Sequence, residues 1–144
     1  AVERGVPVLG LCLGGQLLAE ATGGRVELGP TQEIGLAYVQ RTVDGLLDPV
    51  MSQAVPSIGV DIPAAQWHQD HVVELPDGAV LLLTNATCRV QGFRLGDTAY
   101  GLQLHPELDG ATFAVTSLGT YGVERWRAET ASSITWSAAK ARCW

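Results

Sequence analysis

The order of apolar and polar residues predicts strands followed directly by helices. Residues 6–11 are almost all apolar, which is typical of a parallel strand covered on both faces. A helical pattern over 13–22 follows at once and stops at Gly23-Gly24. The beginning of the chain therefore predicts a strand-to-helix unit of an α/β fold.

Further apolar runs between turn residues predict five more strands. These strands cover residues 25–28, 34–42, 79–84, 90–95 and 98–104, with a turn at 30–32 between the first two. The last two form a hairpin around Gly96-Asp97, and helices are predicted over 45–54 and 111–121. Together the pattern predicts an α/β fold with a mainly parallel sheet, helices on both faces and an antiparallel hairpin near one end.

The junction of the first strand and helix carries a cysteine between glycines, in the run Gly10-Leu11-Cys12-Leu13-Gly14. A strand that turns sharply into a helix at a nucleophile is a nucleophile elbow. We expect the bend to leave no room for a Cβ at Gly10 or Gly14, and the helix N-terminus to favour a thiolate. A lone cysteine on an apolar strand is more often structural, but the flanking glycines and the strand-to-helix switch favour a nucleophile.

A histidine and a carboxylate follow the last predicted strand, in His105-Pro106-Glu107. Residues i and i+2 on extended backbone point to the same side, and Pro106 disfavours helical geometry at His105. A histidine beside a carboxylate is the usual pair of a base and its orienting group. The predicted catalytic residues are therefore Cys12, His105 and Glu107.

Both segments resemble the signature blocks of the class I glutamine amidotransferases, in the order that this family has them. The similar segments are 10–16 and 105–107, together with Glu33-Ile34-Gly35 and Trp67-His68-Gln69-Asp70. The resemblance is to stand-alone proteins similar to the glutaminase domain of GMP synthase, and it runs from about residue 6 to 107. It implies a flavodoxin-like fold and a Cys-His-Glu triad that hydrolyses glutamine to glutamate and ammonia through a cysteinyl thioester.

Three further residues are candidates for the site. The N–H of Leu13, the first in the helix, is placed to stabilise an oxyanion. The resemblance implies that Gln16 holds the substrate glutamine, although an ordinary polar position on a helix is an equally open interpretation. It also aligns His68 with the segment along the substrate pocket. Trp67 stands where GMP synthase-type domains have serine, so a purely structural role of this segment stays open.

No metal and no cofactor are expected. The spacing of His68, Asp70 and His71 fits no standard zinc pattern. Cys88 has neither elbow glycines nor a nearby base, and it is interpreted as structural.

Other functions remain as alternatives to glutamine hydrolysis with transfer of ammonia to a synthetase subunit or domain. The same triad would serve a γ-glutamyl hydrolase or peptidase that transfers no ammonia. A non-catalytic remnant that only binds a partner is a second alternative. An α/β-hydrolase with a cysteine nucleophile is disfavoured, because that fold normally draws its acid and its histidine from separate loops.

The composition limits the size, the partners and the cellular compartment that the sequence predicts. The 144 residues are 47% hydrophobic, enough for one core and one domain over 1–144. The net charge of −6 argues against a nucleic-acid partner, which usually requires a basic face. Three cysteines without framework spacing favour a reduced, cytoplasmic protein, and neither a signal peptide nor a membrane-spanning run is recognisable.

The sequence supports one prediction about the N-terminal end of the chain and one about its C-terminal tail. The chain begins at Ala1 without an initiator methionine, and in the similar family several strands and helices precede the elbow strand. We therefore expect the front of the domain to be missing, and with it part of the oxyanion hole. The tail over 122–144 contains Trp126, Trp136 and Trp144, which would pack on the sheet or cover a partner face.

Overall fold

The computed structural model describes residues 1–54 and 61–108. The chain divides into two compact units, Ala1–His105 and Pro106–Trp144, and the fold described below is that of the first. The predicted helix over 111–121 and the tail over 122–144 lie outside the described residues. The single domain over 1–144 stays a prediction.

Strands and helices follow one another largely as the pattern predicts. The elements are β1 Val8–Leu11, α1 Leu13–Ala21, β2 Arg25–Arg41, α2 Val43–Leu47, α3 Met51–Ala54, β3 Ile62–Glu74, β4 Ala79–Thr84, β5 Gly92–Leu95 and β6 Ala99–Leu102. The six strands form one sheet in the order β1-β6-β5-β4-β2-β3, so the predicted α/β class is confirmed. No helix among the described residues is long and apolar enough to cross a membrane.

The directions of the strands differ from the mainly parallel sheet that was predicted. Among the described residues only β1 and β6 pair in parallel, and the other four pairs are antiparallel. A parallel connection needs a crossover of a dozen or more residues, whereas β5 and β6 are joined by a tight turn at Gly96. An apolar run predicts that a strand is buried, but it does not predict the direction of its neighbour.

The strand β2 is continuous where two strands and a turn were predicted. Its pairing with β3 shifts register between Leu28 and Glu33, so residues 29–32 form an irregularity within the strand. A Cβ on Gly29 would lie 2.6 Å from the ring of His71. Gly29 therefore allows β2 to pack closely against β3. The turn-forming residues around it do not reverse the direction of the chain.

The helix predicted over 45–54 is two short helices, because Asp48 begins a new one. Oδ1 of Asp48 accepts the N–H groups of Val50 and Met51 at 2.9 and 3.0 Å. Oδ2 accepts Nε of Arg94 at 2.8 Å, and the carboxylate is buried. Burial alone would raise the pKa of Asp48, but these hydrogen bonds together hold it below its ordinary value.

The core consists of two apolar clusters. One cluster includes Val39, Leu82 and Leu102, and the other includes Ala19 and Phe93. Both clusters contain side chains from β5, β6 or their partners, so this hairpin is fixed by burial as well as by its hydrogen bonds. It delivers the segment after Leu102 to a rigid position.

The turn from β1 into α1 is packed backbone to backbone. A Cβ on Gly10 would overlap the carbonyl of Gly14 and approach the nitrogen of Gly15 to 2.7 Å, which confirms the expected close approach. The same expectation for Gly14 is wrong, since a Cβ there would meet nothing within 4 Å. The second tight position is Gly15, where a Cβ would lie 3.1 Å from the backbone of Leu102.

The glycines at positions 10 and 14 provide a matched test of the turn. We expect Gly10→Ala to lower the free energy of unfolding by about 2 kcal/mol or more, because the obstacle is backbone and cannot move aside as a side chain does. Gly14→Ala should leave stability unchanged or raise it by up to about 1 kcal/mol, since alanine is the better helix former. Urea unfolding of both variants is the measurement. Equal stabilities would contradict the packing described for Gly10.

Candidate active site

Cys12 lies at the junction of β1 and α1 in a strained backbone conformation. Its φ of 48° and ψ of −110° make it the only non-glycine residue with positive φ in the described part of the chain. Such a conformation costs about 1–3 kcal/mol and persists only where the surroundings enforce it. Here the N–H of Cys12 donates to the carbonyl of Leu102 at 2.7 Å, and its own carbonyl accepts the N–H of Gln16 at 3.1 Å. The backbone geometry is therefore that of the predicted elbow.

The parallel pairing of β1 and β6 brings the predicted base to the same edge of the sheet. Leu11 pairs with Leu102, so both strands end at this edge, and His105 follows three residues later. The N–H of His105 donates to the carbonyl of Ala65 at 2.9 Å in an isolated antiparallel bridge. The topology thus brings His105 and β3 to the edge of the sheet at which Cys12 lies.

Residues 106 and 107 form a turn, so the extended His-Pro-Glu segment that was predicted is wrong beyond His105. Proline disfavours helical geometry only at the residue before it, and it does not keep the residue after it extended. Glu107 belongs to the second unit of the chain. Its role as the orienting carboxylate stays a prediction.

The sulfur of Cys12 has two polar neighbours in the first unit. Nε2 of Gln103 donates to Sγ at 3.6 Å, and the thiol faces the carbonyl of Trp67 at 3.7 Å. The side chain of Cys12 itself is half-buried. Gln103 was not among the predicted residues, although it is a polar residue in the apolar strand predicted over 98–104, two positions before His105.

Gln16 is buried on α1 and is fully engaged as a donor. Its Nε2 donates to the carbonyl of Asp70 at 2.7 Å and to Oε1 of Gln103 at 3.0 Å. Gln103 in turn donates to the sulfur of Cys12. A chain of amide groups therefore runs from β3 through the helix to the sulfur of Cys12. Direct binding of substrate by Gln16 stays a prediction.

His68 is buried in β3 with both ring nitrogens facing protein groups. Nδ1 lies 3.1 Å from the carbonyl oxygen of Asp70, and Nε2 lies 3.1 Å from Oε2 of Glu33. Because both ring nitrogens face protein groups, the binding of substrate by His68 stays a prediction. The neighbouring His71 packs over Gly29, and Asp70 is exposed.

Glu33 is the buried carboxylate in this part of the fold. Burial would raise its pKa, but contacts with His68, Asn85 and Gln91 outweigh burial and hold the pKa below its ordinary value. Nδ2 of Asn85 donates at 2.7 Å and Nε2 of Gln91 at 2.9 Å. The segment Glu33-Ile34-Gly35 thus contributes a buried charge with several partners.

Cys88 is buried, and its environment differs from that of Cys12. Burial, and next the negative charge of Glu33, raise the pKa of its thiol to about 12. Its Sγ contacts the carbonyl of Val90 at 3.4 Å. At neutral pH this thiol remains protonated, as expected of a structural cysteine.

The two cysteines should differ in reactivity. In timed alkylation with iodoacetamide at pH 8, we expect Cys12 to be modified far faster than Cys88. With a pKa of about 12, Cys88 is a thiolate in only about one molecule in ten thousand at that pH, and the fraction rises tenfold with each pH unit.

Peptide mass spectrometry of quenched samples measures both rates. Alkylation in guanidinium chloride is the control, because unfolding should bring Cys88 to an ordinary rate. Equal rates in the folded protein would contradict the environment described for Cys88.

Comparison with known proteins defines the class of protein. The sequence model of the family Glutamine amidotransferase class-I matches residues 1–118, and the chain therefore belongs to this family. The sequence is 36% identical over 110 residues to the glutamine-hydrolyzing GMP synthase of Paraburkholderia phytofirmans, covering 74% of this chain and 20% of that protein. It is 38% identical over 108 residues to one subunit of the glutamine-hydrolyzing GMP synthase of Halobacterium salinarum, covering 72% of this chain and 54% of that protein.

A solved crystal structure is also similar to this chain. The crystal structure of a glutamine amidotransferase from Methylobacillus flagellatus superimposes with a TM-score of 0.71 at 32% identity, over 84% of this chain and 46% of that one. The resemblance to GMP synthase glutaminase domains is confirmed. The chain spans between a fifth and about half of the length of these three relatives.

Proposed function

We propose that this chain carries the site of a glutamine amidotransferase that hydrolyses the side-chain amide of glutamine, with Cys12 as the nucleophile. The observation that carries the proposal is the positive φ of Cys12 at the β1–α1 turn, fixed by its hydrogen bond to the end of β6. This strain directs one sulfur to the edge of the sheet at which His105 follows β6. Membership of the family supplies the reaction class.

The reaction has two halves. His105 takes the proton of the Cys12 thiol as Sγ attacks the amide carbon of glutamine, and the resulting oxyanion accepts the N–H of Leu13. That N–H is one of the four that a helix leaves without an internal acceptor. When the C–N bond breaks, His105 protonates the departing ammonia and a thioester remains. His105 then takes a proton from water as the water attacks the thioester, and it returns this proton to Sγ of Cys12 when the C–S bond breaks and glutamate leaves. Glu107 orients the imidazole of His105.

Gln16 and His68 act in this proposal through the backbone of β3. Both side chains contact the same carbonyl group, that of Asp70. They thereby fix the segment 67–70, which includes the carbonyl of Trp67 next to the sulfur. We assign them the role of holding this wall of the pocket for the amino-acid end of glutamine. Gln103 positions the sulfur by donating to it.

Ammonia released at Cys12 passes to an acceptor on a synthetase subunit or domain in this proposal. Support comes from the similarity to a protein named as one subunit of a glutamine-hydrolyzing GMP synthase. The free thiols of Cys12 and Cys88 agree with a reducing compartment, and we expect the reaction to take place in the cytoplasm.

Removal of the nucleophile is the direct test. Cys12→Ser should lower ammonia release from glutamine by several powers of ten, because an alcohol with a histidine base is a much weaker nucleophile than a thiolate. Cys143→Ser is the matched control and should keep the rate of the unmodified chain. Ammonia release by Cys12→Ser within tenfold of that rate would overturn the assignment.

The same assay separates glutamine hydrolysis from the alternatives. Faster release of amine from γ-glutamyl conjugates than of ammonia from free glutamine would point to a γ-glutamyl hydrolase. Specific binding of a synthetase subunit without turnover of either substrate would point to a non-catalytic partner.

The roles of the base and its orienting group predict an order of effects. His105→Ala should reduce turnover more than Glu107→Gln, because the first change removes the base and the second only loosens its orientation. The carboxylate change should still cost roughly a hundredfold. Comparing kcat of both variants measures this order. The reverse order would remove Glu107 from the orienting role.

A further inference from the structure

A second cluster of reactive side chains lies in the interior of the first unit, and of its members only His68 has a part in the proposed hydrolysis. It consists of Glu33 on β2, His68 on β3 and Cys88 between β4 and β5. All three are buried, and one oxygen, one nitrogen and one sulfur lie within 4.8 Å of one another. The set is assembled from three separate segments, so the spacing within any one of them does not reveal it.

The ring of His68 has its second nitrogen directed into this cluster. Nδ1 faces the carbonyl oxygen of Asp70 at 3.1 Å, and a carbonyl only accepts, so Nδ1 carries a hydrogen. Nε2 lies 3.1 Å from a carboxylate oxygen of Glu33, yet it has no aligned hydrogen bond among the described residues. The side chain is only 3% exposed. A neutral ring in this tautomer points a lone pair at a carboxylate, which is unfavourable unless a proton or a metal cation lies between them.

This arrangement is that of a metal-binding histidine. Ligating histidines usually donate their other ring N–H to a backbone carbonyl or a carboxylate, which fixes the tautomer. In this protein the carbonyl of Asp70 accepts the N–H of Nδ1 and so fixes the tautomer of His68. The thiol is positioned in a comparable way, because Oδ1 of Asn85 accepts the backbone N–H groups of Thr87 and Cys88 at 3.0 and 2.6 Å.

We propose that Glu33, His68 and Cys88 form a binding site for Zn²⁺. One thiolate, one imidazole and one carboxylate are all ligands that zinc takes in proteins, with water completing a tetrahedron. Bond lengths of about 2.0 Å to nitrogen and oxygen and about 2.3 Å to sulfur place neighbouring ligand atoms about 3.3–3.5 Å apart, so the ligand atoms need to approach one another by at most about 1.3 Å. The charges also balance, since one carboxylate and one thiolate neutralise a divalent ion in a buried place.

A metal ion at this site would hold three segments of the first unit together. A bound ion would join β2, β3 and the connection that carries Cys88. Through His68 it would also stiffen the carbonyl of Asp70, which Gln16 holds from the other side. Binding displaces the protons of the ligand atoms, so affinity should fall as the pH is lowered.

Cobalt(II) is the probe for the experiment on the 144-residue chain after treatment with a chelator. We expect one equivalent to bind with thiolate-to-cobalt charge-transfer absorption, which Zn²⁺ then displaces. Cys88→Ser should abolish this absorption, whereas Cys12→Ser and Cys143→Ser should keep it. Absence of saturable binding, or absorption that survives in Cys88→Ser, would overturn the proposal, as would its loss in Cys12→Ser alone.

A second measurement does not depend on whether Cys88→Ser folds. X-ray absorption at the zinc edge, on the doubly substituted Cys12→Ser, Cys143→Ser chain, should show one sulfur at about 2.3 Å with nitrogen or oxygen neighbours. Zinc should also raise the midpoint of thermal unfolding of this chain, because it binds the folded state. A zinc shell without sulfur would overturn the proposal, and because none of these readouts depends on ammonia release, its failure is distinguishable from failure of the proposed hydrolysis.

Discussion

The close approach of the β1–α1 turn to β6 is the constraint on which this structure depends. Gly10 and Gly15 have no side chains where backbone meets backbone, and the N–H of Cys12 reaches the carbonyl of Leu102. This contact begins the helix, holds a cysteine in a conformation that it would otherwise avoid, and fixes the parallel register that carries His105 to the same edge. A larger residue at Gly10 would disturb all three together.

Buried polar side chains extend this constraint into the interior. Gln16 and Gln103 are linked to each other and to the sulfur of Cys12, and Glu33 is linked to Gln91, Asn85 and His68. Burying such groups costs free energy unless their hydrogen bonds are made, so each network favours one arrangement over its alternatives. The two networks meet at the carbonyl of Asp70, which both Gln16 and His68 contact.

The elements that the sequence predicted correctly are those that short-range sequence patterns determine. The β1–α1 unit and the hairpin at Gly96 follow from short-range patterns and match the structure. The continuity of β2 depends on His71 packing over Gly29, and the break between α2 and α3 depends on capping by Asp48, neither of which an apolar pattern contains. The candidate site divides in the same way, because its cysteine and histidine lie in recognisable motifs. The approach of Cys88 to Glu33 and His68 depends on three segments that only the folded chain brings together.

The strands β2 and β3 form a long two-stranded ribbon that joins the rest of the sheet through very little backbone. Within residues 1–54 and 61–108, two residue pairs connect β2 to β4, Gln40 with Thr84 and Arg41 with Leu83. The remaining ties include the bridge of Ala65 to His105 and the hydrogen bonds of Asp70 and Glu33 described above. The groups that build the site are therefore also among the groups that keep the ribbon from opening as a cooperative unit. Because the same contacts hold the ribbon and the candidate site, amide hydrogen exchange in the ribbon should report on the integrity of that site.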